Sequence, residues 1–113
     1  MTTDNIDITI DFSRLGGPVY VGREKGARVR SRFDLDSVDT SEKIVKVNVP
    51  KETYSINSSF FLGLFGKSIK RAGSAEAFFD KYVFDMPEHL RSSIESSVSR
   101  ALFEKSSLLD GDD

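Results

Sequence analysis

A chain of 113 residues with 38% hydrophobic and 30% charged residues is long enough for one core and too apolar for wholesale disorder. The formal charge of −2 and a pI near 5.4 argue against a chain whose main task is coating nucleic acid, and zero cysteines exclude disulfides and cysteine-based metal or redox centres. No apolar run approaches the roughly 20 residues of a spanning helix, and the opening Met1-Thr2-Thr3-Asp4-Asn5 is polar and acidic, unlike a signal peptide, so a cytoplasmic location is expected.

In chain order, Ile6, Ile8, Ile10 and Phe12 alternate with Asp7, Thr9 and Asp11, which predicts a strand covered on one side only. Gly16-Gly17-Pro18 reads as a turn and Val19-Tyr20-Val21 as a second, short strand, hairpinned to the first in a meander. Over 23–36 the period fits strand or helix, with helix the preferred reading. A polar connection over 36–42 follows, and then Ile44-Val45-Lys46-Val47-Asn48-Val49 alternates until Pro50 stops it, as a central strand would.

The next helix has its cap among Asn57, Ser58 and Ser59 and its end at Gly73, the usual place for a left-handed C-terminal residue. Phe61, Phe65 and Ile69 recur at helical spacing, and Lys67, Lys70 and Arg71 gather where cations complement the helix dipole. Gly63 and Gly66 each cost about 1 kcal/mol in a helix interior, which points to close packing there. Ser74 starts a short helical turn, Lys81-Tyr82-Val83-Phe84 a small strand, and Pro87 with Glu88 a long helix whose apolar stripe is Leu90, Ile94, Val98, Ala101 and Leu102. The expectation is an α/β domain over 1–109, with a roughly four-stranded mixed sheet and three to four helices mainly on one face. The acidic tail 110–113 is expected to be disordered.

Two serines at a strand-to-helix step put hydroxyls beside unpaired backbone N–H groups. Such serines are ordinarily caps; the sharper reading makes Ser58 or Ser59 a phospho-acceptor whose added charge the helix dipole tolerates and a partner reads. Arg23, Lys25, Arg28, Arg30 and Arg32 form a basic segment, either a solvated face or an anion-binding site for a nucleotide or nucleic acid. Gly66-Lys67-Ser68 falls inside a helix and lacks phosphate-loop spacing, His89 has no identifiable partners, and no set of carboxylates suggests metal or paired acid–base chemistry. No enzyme activity, cofactor or metal is expected.

The strand 44–49 followed by Ile56-Asn57-Ser58-Ser59 and an apolar helix resembles the sulfate-transporter and anti-sigma-antagonist (STAS) domains. It is more similar still to the STAS-like family of unknown function, whose members show Ser-Ser-Phe at this step, as in Ser58-Ser59-Phe60. Asp11-Phe12-Ser13, Gly17-Pro18, and Gly26 with Arg32 are similar to that family's opening segment, and the likeness runs over 6–102. In anti-sigma-factor antagonists the motif is Asp-Ser-Ser-Gly, and a partner that is both kinase and anti-sigma factor phosphorylates the first serine. Here Asn57 stands for the aspartate and Phe60 for the glycine. The resemblance implies a STAS-like sandwich with Ser58 as acceptor. It also implies a non-catalytic module that binds a regulatory kinase or ATPase through Asn57, Ser58, Ser59, Phe60 and Gly63.

Overall fold

The computed structural model describes residues 6–15 and 19–111, with the side chains of Val19 and of 104–111 left aside. The expected turn at Gly16-Gly17-Pro18 and the last two residues of the tail therefore lie outside the described residues. Strand β1 (Ile6–Asp11) runs into a 3-10 turn at Phe12–Arg14, then come β2 (Val19–Tyr20), α1 (Arg23–Arg32), α2 (Leu35–Asp39), β3 (Ile44–Asn48) and β4 (Ser55–Ile56). Helices α3 (Ser58–Ala72) and α4 (Ala75–Lys81) precede β5 (Tyr82–Asp85), and α5 (Glu88–Gly111) closes the chain.

Among the described residues the architecture is α/β with five α-helices, but in place of one mixed four-stranded sheet there are two parallel sheets. The larger is β1-β3-β5, with β3 in the centre as its alternation demands; the smaller joins β2 to β4. β2 is therefore not hairpinned to β1. Its two residues pair Val19 with Ser55 and Tyr20 with Ile56, a long-range match that local alternation does not encode. Layers across the larger sheet follow the register: Ile10, Val47 and Phe84 share one row, and Val45 and Tyr82 the next. This face is covered, whereas Asp7, Thr9, Val83 and Asp85 on the other stand in solvent.

Helix α3 occupies the middle of the covering layer. It packs against both α1 and α5, while Phe61 and Phe65 lie 6.1 and 5.5 Å from the ring of Phe84 on β5. Its apolar stripe is accordingly wider than an amphipathic reading implies: Phe60, Phe61, Leu62, Leu64, Phe65 and Ile69 are all buried. Of the three candidate caps Asn57 takes the place before the helix, and Gly73 ends it as expected at φ 87, its N–H bonded to the Ile69 carbonyl.

Residues 35–39 form a helix where a polar connection is expected. Leu35 and Val38 at i, i+3 give it a buried side, and Asp34, left-handed at φ 52, turns the chain out of α1. That turn brings α2 beside a buried polar network. Arg30 of α1, 6% exposed, donates from Nη2 to Asp36 Oδ1 and Asp39 Oδ2, both at 2.8 Å, and from Nη1 to the Leu64 carbonyl at 3.0 Å and Ser68 Oγ at 2.9 Å. Ser68 Oγ in turn donates to Asp39 Oδ2 at 2.7 Å, and the Tyr82 phenol donates to Asp39 Oδ1 at 2.5 Å. Burial works against the Arg30 charge, yet the hydrogen bonds with Asp39 and Asp36 outweigh it and its pKa lies above the usual value. The same Arg30 contact holds the Asp36 carboxyl below its ordinary range.

Burial first, and the hydrogen bond to Asp39 second, push the Tyr82 phenol well above its ordinary value of 10.0. The folded state thus keeps a proton the unfolded chain gives up, so the associated stability is intact below pH 10.0 and is lost as pH rises toward the folded value. Tyr82→Phe retains the ring stacking on Phe78 at 5.1 Å and removes one charge-assisted hydrogen bond. Urea denaturation at neutral pH should show a loss of about 1.5–3 kcal/mol. Above pH 10.0 the gap between wild type and variant should narrow; a gap that stays constant or widens there would refute the assignment.

Candidate functional site

The β4–α3 step is built by pairing on one side and capping on the other. Parallel pairing with β2 is extended by the Asn57 N–H, which donates to the Tyr20 carbonyl at 2.8 Å. Asn57 is extended (φ −69, ψ 144) and starts the helix, its carbonyl accepting from the Phe61 N–H at 3.0 Å. Its Oδ1 accepts both the Ser59 N–H at 2.8 Å and the Ser59 hydroxyl at 2.7 Å. Asn57 is the cap, and Ser59 is tied to it.

Ser58 is placed differently. It is the first residue of α3, half-buried, and its Oγ accepts a hydrogen bond from Arg100 Nη1 of α5 at 3.2 Å. A hydroxyl here adjoins the positive end of the helix dipole and a guanidinium, both favourable to negative charge. Arg100 is the residue that sequence reasoning missed. It lies far along the chain among serines, and no local signal marks a contact made only when α5 crosses the start of α3.

Two residues expected at a partner surface have other work. Phe60 is 1% exposed and its ring lies 6.0 Å from Phe12 and 5.4 Å from Tyr20, in the core. A Cβ on Gly63 would fall 2.2 Å from the Arg23 carbonyl oxygen, and one on Gly26 2.2 Å from that of Phe60. These reciprocal contacts, with Arg30 lying on Leu64 and Ser68 further along, set α1 and α3 side by side and pointing the same way. Phe60 and Gly63 therefore belong to packing, and the exposed part of the step is Asn57 with the partly open Ser58 and Ser59. Val21, 51% exposed, follows β2 directly beside it, and Phe103, 72% exposed, lies one helical turn beyond Arg100.

The basic segment divides. Arg23, Lys25, Arg28 and Arg32 are exposed on α1, but Arg30 is buried, paired with buried Asp39 and exposed Asp36, and offers nothing to an outside anion. Ser68 is likewise inside, so Gly66-Lys67-Ser68 forms no phosphate cradle. His89 Nε2 lies 3.0 Å from the Thr53 carbonyl, a contact that ties α5 to the loop before β4.

At the carboxyl ends of β1 and β3, where open α/β sheets commonly bind ligands, a shallow cleft of 390 Å³ is lined by Asp11, Ser13, Asn48, Lys51 and Asp85 among others. Asp11 Oδ1 there accepts the Ser13 hydroxyl at 2.7 Å and N–H at 3.0 Å, and those bonds, the hydroxyl first, hold its pKa below the usual value. Among the described residues no three histidines or carboxylates converge as metal ligands, and no helix is long and apolar enough to cross a membrane. No family model matches the chain, and neither the curated proteins nor the solved structures give a significant match.

Proposed function

We propose that this protein is a non-catalytic, cytoplasmic regulatory module of STAS-like type, which binds a kinase- or ATPase-type partner at the β4–α3 step and is switched by phosphorylation of Ser58. The observation that carries this reading is the contrast between the two serines: Ser59 spends its hydroxyl on the cap, whereas among the described residues Ser58 Oγ is held by Arg100 alone, a side chain that would equally hold a phosphate. Phosphate adds nearly two negative charges and several acceptor oxygens. At the first residue of α3, beside Arg100, that charge is accommodated by the protein itself, while a partner seated on Asn57, Val21 and Phe103 meets a changed surface. The partner supplies the chemistry, and the module supplies an acceptor and an address.

The test is a comparison of wild type, Ser58→Ala and Ser58→Asp, each tagged and recovered from native cells, with bound proteins quantified by mass spectrometry. A partner carrying an ATP-binding kinase fold should be retained by wild type and Ser58→Ala and depleted about tenfold or more by Ser58→Asp, a difference of at least about 1.4 kcal/mol. Equal recovery by all three removes the switch.

A further inference from the structure

The outer face of α1 holds cations that the fold does not use. The side chains of Arg23, Lys25, Arg28 and Arg32 are exposed and make no ion pair or hydrogen bond among the described residues. Lys25, Arg28 and Arg32, at i, i+3 and i+7, form one row about 10 Å long on the helix surface. Arg23 and Lys25 stand in the first turn, where the dipole disfavours positive charge, and Gly22 caps the helix without a side-chain hydrogen bond. Glu24 in the same turn offsets part of this and Arg32 stands in the favourable last turn, so Arg23 and Lys25 are the cations that the helix itself does not explain.

The chemistry of the face selects among anionic partners. Its other exposed residues are Glu24, Ala27 and Ser31, and Arg28 and Ser31 line a shallow groove together with Glu24 and Ala27. A protein partner needs an apolar centre to its interface, and a bilayer needs bulky apolar residues to insert; Ala27 supplies neither. A phosphodiester backbone requires only charge and donors, and guanidinium forks suit it best.

We infer that the outer face of α1 is a contact for the sugar–phosphate backbone of a nucleic acid, in which Arg23, Lys25, Arg28 and Arg32 neutralise phosphates without reading sequence. The chain's overall charge of −2 makes the attraction local and steeply sensitive to salt. The contact is independent of Ser58, which lies on a different helix.

The experiment is fluorescence anisotropy with a fluorescein-labelled DNA duplex of about 20 base pairs, titrated with the full chain between about 50 and 200 mM NaCl. Neutralising about four phosphates predicts a log–log salt slope near −3.6, or roughly a 150-fold loss of affinity across that range. Arg28→Gln with Arg32→Gln should make the slope shallower by about 2 and weaken binding at low salt at least about tenfold. Arg91→Gln on α5 and Ser58→Asp should leave both unchanged, which separates this contact from the Ser58 switch; circular dichroism confirms that each variant is folded. The inference is overturned by no anisotropy change at about 50 mM salt, or by binding that the Arg28/Arg32 pair does not alter. Tighter binding of labelled polyglutamate, or of phosphatidylserine vesicles, than of the duplex would overturn it too.

Discussion

Gly63→Ala is expected to destabilise the fold by about 3 kcal/mol or more, although alanine is the better helix former by about 1 kcal/mol. The added methyl would sit 2.2 Å from the Arg23 carbonyl oxygen and 3.1 Å from its Cα. Both are backbone atoms of a neighbouring helix, so no side chain can swing aside; α1 must move by about an ångström, and the Gly26–Phe60 contact and the Arg30 network move with it. Gly66→Ala is the internal control. There the new methyl meets only Leu62 Cβ at 3.9 Å, so propensity wins and the helix should gain up to about 1 kcal/mol. Urea midpoints at equal m-values would read both. A Gly63→Ala protein as stable as wild type would mean that the helices are not in backbone contact.

Asp39→Ala should cost about 3–5 kcal/mol, a large share of the 5–15 kcal/mol typical of a domain. Asp39 has a side chain only 2% exposed and takes donors from Arg30, Ser68 and Tyr82. Removing it leaves the second Nη2 donor of Arg30, the Ser68 hydroxyl and the Tyr82 phenol without their buried acceptor, and only the solvent-side Asp36 still opposes the guanidinium. The penalty arises from buried donors and a half-compensated charge left behind and not from the worth of the pair, so Arg30→Met combined with Asp39→Leu should recover part of the loss. A single variant within about 1 kcal/mol of wild type would show that water or a relaxed Asp36 replaces Asp39.

The alternation of 44–49, a cap among Asn57, Ser58 and Ser59, and the Gly73 stop are local signals; the structure has a strand over Ile44–Asn48, takes Asn57 of the three as the cap, and ends the helix at Gly73. Gly63 was legible as a packing glycine by its cost in a helix, but not the neighbour it serves. Arg30 looks like its exposed neighbours in sequence; its burial depends on Asp36 and Asp39 returning beneath it after the left-handed turn at Asp34. The β2–β4 ladder is two residues long on each side, too short for periodicity to reveal. Of the candidate site, the serines were legible as a cap step. Which serine is tied to the cap and which is left over is decided by Asn57 taking Ser59 and by Arg100 arriving from α5.

That division of labour is what the regulatory reading rests on. A serine tied to the cap is spent inside its own helix, whereas an acceptor must be offered outward at a place where added charge is tolerated. Phosphopeptide mapping of the protein isolated from its native cells tests this directly. The account predicts phosphate on Ser58 in a fraction of molecules and none on Ser59; Ser58 unmodified under every growth condition sampled, or phosphate on Ser59 in its place, would contradict it.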